Sequence, residues 1–386
     1  MTIYADLGIE PIINAAGTLT TFGGSLMPPQ VMDAMAEASR AFVDMQELHL
    51  KAGQRIAALI GVEATHICNG AAAGIAIMAA ACMAGTDRAR IARLPDTTGM
   101  RHTFIVHRAH RNPFDQALRL AGGRFHDIDA DVTQLQAALQ PPLLDQVAAV
   151  YYTFAWFCTG PTLPFREVTR LAHAAGVPVI VDAAAEIPPI VNLRRFLAEG
   201  ADLVVFSGGK ALRGPQSSGM ILGRADLVEA CSLNDAPHMA VGRPMKVGKE
   251  EIAGLVKAVE LYVNKDHDAE MTVWQARVAH ILAALSDLPH VRAWQQWPYG
   301  IGQRIPHAAV SWDEAALGIT HEEAHRRLLA GPPRIAVQIV SPQRYDWSSF
   351  AAPELRLHPH TLQEGEEITV ARCLRELLRG RSQVSG

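Results

Sequence analysis

Between Val177 and Ser207 the chain carries two short apolar runs, Val177-Pro-Val-Ile-Val-Asp182 and Ala201-Asp-Leu-Val-Val-Phe-Ser207. Each is continuous, not alternating, and each ends in a polar residue, the pattern of a strand covered by helices on both faces. Similar runs lie at Thr65–Cys68, Thr103–His107, Arg124–Ile128, Ala148–Thr153 and Gly219–Leu222. Between most of them apolar residues recur at helical spacing, over Ala71–Ala84, Pro113–Ala121, Val132–Leu139, Pro164–Ala175 and Leu193–Glu199. This alternation predicts an α/β fold built on a mainly parallel sheet of seven strands, with ligand chemistry at the carboxyl ends of the strands. The loop before Gly219 is too short for a crossover helix, so that strand is expected to run antiparallel.

The flanks read differently. Residues 1–30 are rich in Gly, Pro and Thr, and a helical pattern follows from Pro29 to about Gly61. A long amphipathic helix is expected from about Glu250 towards Ala279, then a mixed pattern ending in a charged helix, Glu364–Arg379. The expected division is an arm and helix over 1–48, a large domain over 49–260, and a smaller α+β domain over 261–386.

Composition narrows the class. A hydrophobic fraction of 49% and a charged fraction of 19% are ordinary for a soluble globular protein. The net charge of −4 and the absence of a basic stripe argue against nucleic-acid binding. The densest basic run, Arg88 to Arg93, is short and lacks interleaved aromatics. Five scattered cysteines give neither a disulfide framework nor a metal-ligand spacing. The first residues lack the basic and apolar regions of a signal peptide, and the apolar stretch Gly70–Ala84 is too short to span a bilayer. A cytoplasmic protein with no membrane partner is expected.

Three strand ends carry chemistry. At Cys68-Asn-Gly-Ala-Ala-Ala-Gly74 a strand turns into a helix through small residues, leaving N–H groups and the positive helix end open to a phosphate. Small residues there also allow close packing. Asp182 closes its strand and is placed to bond a protonated ring nitrogen, though a helix cap or loop aspartate reads the same way. Ser207-Gly-Gly-Lys210 puts a lysine in a glycine-rich turn, where partial desolvation makes an amine nucleophilic, although a surface lysine is also common in such turns. Phosphate corner, aspartate and lysine on successive strand ends together read as a pyridoxal phosphate (PLP) site.

The chain resembles the fold-type I PLP enzymes of the selenocysteine synthase (seryl-tRNA selenium transferase) superfamily, and within it the branch of D-glucosaminate-6-phosphate ammonia-lyase. The likeness rests on Pro11-Ile-Ile-Asn-Ala-Ala-Gly-Thr, Gly70-Ala-Ala-Ala-Gly-Ile, His107-Arg-Ala-His-Arg-Asn-Pro-Phe-Asp115 and Val181-Asp-Ala-Ala-Ala-Glu186. It continues in Phe206-Ser-Gly-Gly-Lys-Ala-Leu-Arg-Gly-Pro-Gln-Ser-Ser-Gly219 and Arg243-Pro-Met-Lys-Val-Gly-Lys-Glu250. The resemblance implies a Schiff base at Lys210 and a ring-nitrogen partner at Asp182. It implies phosphate contacts from Gly70, Ala71, Ala72 and Ser207, with His110 stacked on one ring face and Ala184 on the other. Asn14, Arg213 and Arg243 are its implied substrate contacts. The extra N-terminal tRNA domain of selenocysteine synthase is not expected, which favours a small amino-acid substrate.

The expected activity is that of a PLP-dependent lyase, removing an α-proton and eliminating a β-substituent from an amino acid or amino-sugar acid. Racemisation or aldol cleavage follows from the same constellation, and a catalytically silent binding protein is the alternative from another class. Active sites shared across a homodimer are implied by the resemblance, with Thr20–Pro29 and Leu233–Val247 as candidate crossing segments or lids.

Overall fold

A computed structural model describes residues 2–298, 303–341 and 352–379. The chain divides into two units. The larger spans 25–265 and holds a seven-stranded sheet. In spatial order its strands are Ala64–Cys68, Gly219–Gly223, Leu203–Ser207, Val179–Asp182, Val147–Thr153, Thr103–His107 and Arg124–Ile128. Only Gly219–Gly223 runs antiparallel to its neighbours, and the remaining pairings are parallel. This is the expected sheet, with the expected reversed strand.

Alternate residues of the strands feed two separate cores. Ile105, Val150, Val179, Val181, Val204 and Phe206 face one side, packed with Ile56, Val168, Phe196 and Leu255 from helices. Phe104, Val106, Ala149, Ile180, Leu203 and Val205 face the other, against Ile75, Ile77, Met78 and Cys231. With both faces buried, no strand position is left for a polar stripe, so the strands read as continuous apolar runs.

Two expected helices are each broken in two. The pattern from Pro29 to Gly61 forms Pro29–Ala38 and Met45–Ile60, the second opened by Asp44, whose carboxylate accepts from the Glu47 N–H at 2.9 Å. The long helix expected from Glu250 is Lys249–Val263 followed by His267–Leu285, with Asp266 capping the second through the Ala269 N–H at 2.9 Å. Capping aspartates end the apolar period locally, and spacing alone did not register them.

The smaller unit comprises residues 1–24, 266–299 and 304–386. Its sheet runs in the order Ile13–Ala15, Ile335–Val340, Glu354–Leu357, His307–Trp312, Val291–Gln296. Ile13–Ala15 pairs in parallel with Ile335–Val337, which ties the beginning of the chain to this unit. Residues 1–48, expected as an arm and helix, are shared between the units. Val278, Ile281, Ala324, Leu328, Val370 and Leu374 of three helices cover the sheet.

Candidate active site

The strand register brings the chemistry-bearing positions of the larger unit to one edge of its sheet. Cys68 and Ser207 both pair with Gly219, and Asp182 pairs with Thr153 on one side and Val205 on the other. Asn69-Gly70, Ser207, Asp182 and Thr153 therefore lie side by side at carboxyl ends of neighbouring strands, where an α/β sheet opens its crevice.

At the first position the helix Gly70–Ala84 begins without a side-chain cap, because the Asn69 amide donates instead to the Lys246 carbonyl at 3.1 Å. Its leading N–H groups are thus left for another acceptor. Gly70 has φ +78°, and a Cβ there would meet nothing within 4 Å, so the corner opens onto free space. Close packing is also real. A Cβ on Gly74 would stand 2.6 Å from Val205, so the small residues serve both purposes.

Asp182 is 6% exposed. Its Oδ1 accepts from the Ala184 N–H at 3.0 Å and its Oδ2 from the Tyr151 hydroxyl at 3.4 Å. Burial raises its pKa above the usual carboxylate value, against the Ala184 N–H, Lys210 and Tyr151, which favour the charged form. Ala184 lies in the turn after Asp182, and its carbonyl accepts from the Ser207 N–H at 3.2 Å.

Lys210 sits in the tight loop between Ser207 and Gly219. A side chain at Gly208 would collide with Ser218 Oγ at 2.1 Å, which is why the loop demands glycine. Burial lowers the Lys210 ammonium pKa, opposed by Asp182 and Glu186. Among the described residues no acceptor bonds its Nζ. The arm holds this loop: Ser25 Oγ donates to the Gly209 carbonyl at 3.0 Å and Arg213 Nε to the Leu26 carbonyl at 2.8 Å.

His110 closes a short turn after Thr103–His107 and is 3% exposed. Its Nδ1 accepts from the Thr153 N–H at 3.4 Å, assigning the proton to Nε2, and burial lowers its pKa to about 3, so the ring is neutral. His107 accepts from the Leu163 N–H at 3.2 Å, and His102 bonds the Met100 carbonyl at 2.8 Å. Both are local ties, as a strand-end histidine usually is.

The expected substrate contacts are held in different ways. Arg213 is exposed, with φ 55°, and spends its Nε on Leu26; Arg243 is half-buried on a 3-10 turn. Neither pairs with an acid among the described residues. Asn14 belongs to the smaller unit, where its amide donates to the Gly17 carbonyl at 3.1 Å and accepts from the Ala16 N–H at 2.9 Å, holding a turn.

Three groups at this edge had been given no role. Tyr151 is fully buried and reads in sequence as a core position of its strand; only the register with Val179–Asp182 sends its hydroxyl to Asp182. Asp115 is 2% exposed and bonded to Arg111. Glu186 is 4% exposed, and burial raises its pKa to about 7. A charged residue in the otherwise apolar Ala183-Ala-Ala-Glu-Ile-Pro-Pro turn was the available signal for the last. An open anion corner, a buried carboxylate and a desolvated amine on adjacent strand ends suit a phosphate-bearing aldehyde with a basic ring nitrogen.

Comparison with known proteins agrees. The L-seryl-tRNA selenium transferase family model matches residues 143–284. The chain is 34% identical over 380 residues to a D-glucosaminate-6-phosphate ammonia lyase of Salmonella typhimurium, covering 97% of each. A solved D-glucosaminate-6-phosphate ammonia-lyase superposes with a TM-score of 0.81 at 33% identity over 98% of both chains. A 5'-C-glycyluridine monooxygenase-decarboxylase of a Streptomyces species is also 34% identical, over 97% of this chain and 92% of its own. A serine palmitoyltransferase carrying PLP shares the fold, with a TM-score of 0.62 at 14% identity over 95% of this chain and 87% of its own. The chain belongs to the family of D-glucosaminate-6-phosphate ammonia lyase, within the selenium-transferase-like enzymes of fold type I, and its cofactor is pyridoxal phosphate.

Proposed function

We propose that this protein is a PLP-dependent lyase of the ammonia-lyase type, eliminating the β-hydroxyl of a 2-amino acid as water and taking water up again as ammonia is released, a net loss of ammonia. Amino-sugar acids are one such class, and the relationship to D-glucosaminate-6-phosphate ammonia lyase supports them as substrates. The observation that carries the reading is the desolvated Lys210 amine facing buried Asp182 beside an uncapped helix start.

When bound, the cofactor supplies an aldehyde for the substrate amine and a ring that accepts the electron pair freed at the α-carbon. The N–H groups of Gly70, Ala71 and Ala72, with the Ser207 hydroxyl, hold its phosphate. Asp182 holds a proton on the ring nitrogen, fixed in place by the Ala184 N–H and the Tyr151 hydroxyl. His110, neutral and edge-on to Tyr152 at 4.3 Å, offers a flat uncharged face for stacking opposite Ala184. Lys210, uncharged, takes the proton from the substrate's α-carbon and delivers it to the departing β-hydroxyl, so that water leaves. Hydrolysis of the resulting enamine yields a 2-keto acid and ammonia. Arg213 and Arg243, without acidic partners among the described residues, would bind the substrate's acidic groups.

The glycyluridine enzyme, equally similar in sequence, favours a second reading in which the α-bond broken is to a carboxylate and oxygen is consumed. Incubation with D- and L-hydroxy-amino acids separates the two: ammonia and keto acid mark the lyase, carbon dioxide and oxygen uptake the alternative. Loss of optical activity with α-deuterium exchange would mark a racemase, and an aldehyde product an aldolase. Borohydride treatment of the wild-type protein with PLP is expected to leave the cofactor covalently bound at Lys210 after denaturation, while Lys210→Ala retains none and loses on the order of 10⁴-fold or more of turnover. A Lys210→Ala protein that retains the same covalent label overturns the assignment.

A homodimer is part of the reading. Phe42, Met239, Leu26 and Leu50 of the larger unit are exposed apolar side chains, which a second copy would cover. Among the described residues no helix is long and apolar enough to cross a membrane, and the five cysteines are free, which supports a reducing, cytoplasmic setting.

A further inference from the structure

The arm grips the lysine loop through adjacent residues of its own, and all the groups involved lie in the larger unit. Ser25 Oγ donates to the Gly209 carbonyl at 3.0 Å, and Arg213 Nε donates to the Leu26 carbonyl at 2.8 Å. These bonds fall on either side of Lys210. Within the loop, the Arg213 N–H donates to the Lys210 carbonyl at 2.9 Å, the Gly214 N–H to the Gly208 carbonyl at 2.9 Å, and the Gly208 N–H to the Ser218 carbonyl at 2.8 Å. The peptide carbonyls before and after the Lys210 Cα are therefore both engaged. The loop itself supplies the second donor; the first comes from the arm, across 184 residues of chain. Arg213 holds φ 55°, a costly conformation for a residue with a side chain, and its bonds to Lys210 and Leu26 oppose that cost. The support behind the arm is closely packed. A Cβ on Gly254 of the helix Lys249–Val263 would stand 2.7 Å from Pro215 of the loop and 2.8 Å from Met35 of the helix that follows the arm. Arm, helix and loop thus leave one another no room to slide.

We propose that Ser25 is a positioning residue for Lys210: its hydroxyl fixes the peptide plane from which the lysine side chain departs, so that the amine approaches the cofactor aldehyde from one direction. This rests on Lys210 as the cofactor lysine. The lysine stem is long and flexible, so a tilt of the backbone at its root is magnified at the amine. Misplacing a reacting group by about 1 Å costs about 10²-fold in rate. With the Lys210 carbonyl still tied inside the loop, loss of the Ser25 bond alone removes part of that restraint. Residues 25 and 26, in the stretch expected as a crossing segment or lid, act here on their own chain.

The test compares wild type, Ser25→Ala and Ser25→Thr. Apoprotein is mixed with PLP and quenched with borohydride at intervals, and the label retained after denaturation is measured. The lysine nitrogen forms a bond to the aldehyde carbon, the aldehyde oxygen leaves as water with the amine's two protons, and borohydride adds hydride to the C=N bond with a proton from solvent. Ser25→Ala is expected to label about tenfold more slowly and to lose kcat by about the same factor, with KM within about twofold of wild type. Ser25→Thr keeps a hydroxyl and should restore both. Amide hydrogen exchange gives a reading free of cofactor: in apo Ser25→Ala, residues 207–214 should exchange faster while Val179–Asp182 is unchanged. Labelling of Ser25→Ala at the wild-type rate overturns the proposal. So does a loss that Ser25→Thr fails to recover, or faster exchange throughout the sheet, which marks a general loosening. Wild-type protein that retains no label sinks the Lys210 assignment instead, and hydrogen exchange still decides whether Ser25 holds the loop.

Discussion

The two edges of the large sheet each bury an aspartate, and the two are treated oppositely. Asp202 stands where Leu203–Ser207 begins and is fully engaged, by Arg224 at 2.9 Å, His173 at 2.8 Å and the Val179 N–H at 2.7 Å. Arg224 is itself shared with Asp226. Asp182, at the opposite edge, has one backbone N–H, one long bond from a tyrosine, and an amine that does not bond it. At the first edge charge is neutralised and locks strand to helix. At the second it is left under-partnered, so protons remain movable. A buried polar group is structural when its partners are complete and reactive when they are not.

Exchanging the two aspartates for asparagine sharpens this most. Asp182→Asn is expected to lower kcat about 10²–10³-fold while leaving the apoprotein's melting temperature unchanged or higher, since a carboxyl penalised by burial is removed. Asp202→Asn should do the reverse. It is expected to lose about 2–3 kcal/mol in chemical denaturation, moderated because Arg224 and His173 are about half exposed, with kcat unchanged. If both variants lose stability and neither loses activity, the distinction between the edges fails.

A smaller effect separates the edges by pH. The Glu186 carboxyl titrates from a reference value of 4.5 up to about 7 in the fold, so the folded state binds more protons than the unfolded one across that window. Its contribution to stability is full below about 4.5 and is lost as pH rises through about 7. The melting temperature of apo Glu186→Gln, measured against wild type, should therefore gain over this interval and hold constant above it. A difference independent of pH would mean that Glu186 is ionised throughout. The smallest expected change is at Tyr151→Phe, where loss of one 3.4 Å bond to Asp182 should lower kcat by about fivefold, equivalent to about 1 kcal/mol. A reduction as large as that of Asp182→Asn would show that the hydroxyl has its own chemical part.

Much of the large sheet was legible along the chain. Apolar runs buried on both faces cannot be mistaken for surface, and a Cβ at Gly208 would collide with Ser218, so the strand-end positions of Lys210 and Asp182 were legible in the sequence. Glu186 and Tyr151 were not. Their surroundings depend on which strand lies beside which, and the register of Thr153 against Asp182 joins positions far apart in the chain. Helix ends were blurred for a local reason, since Asp44 and Asp266 break continuous apolar periods through single hydrogen bonds.

By itself the sequence determined the layering, the reversed strand, and the residue types available at each strand end, because burial on both faces and short loops leave few alternatives. Only the tertiary structure decided which of several buried carboxyls carries which donors. That difference arises from hydrogen bonds across strands and turns, and spacing along one chain does not encode them.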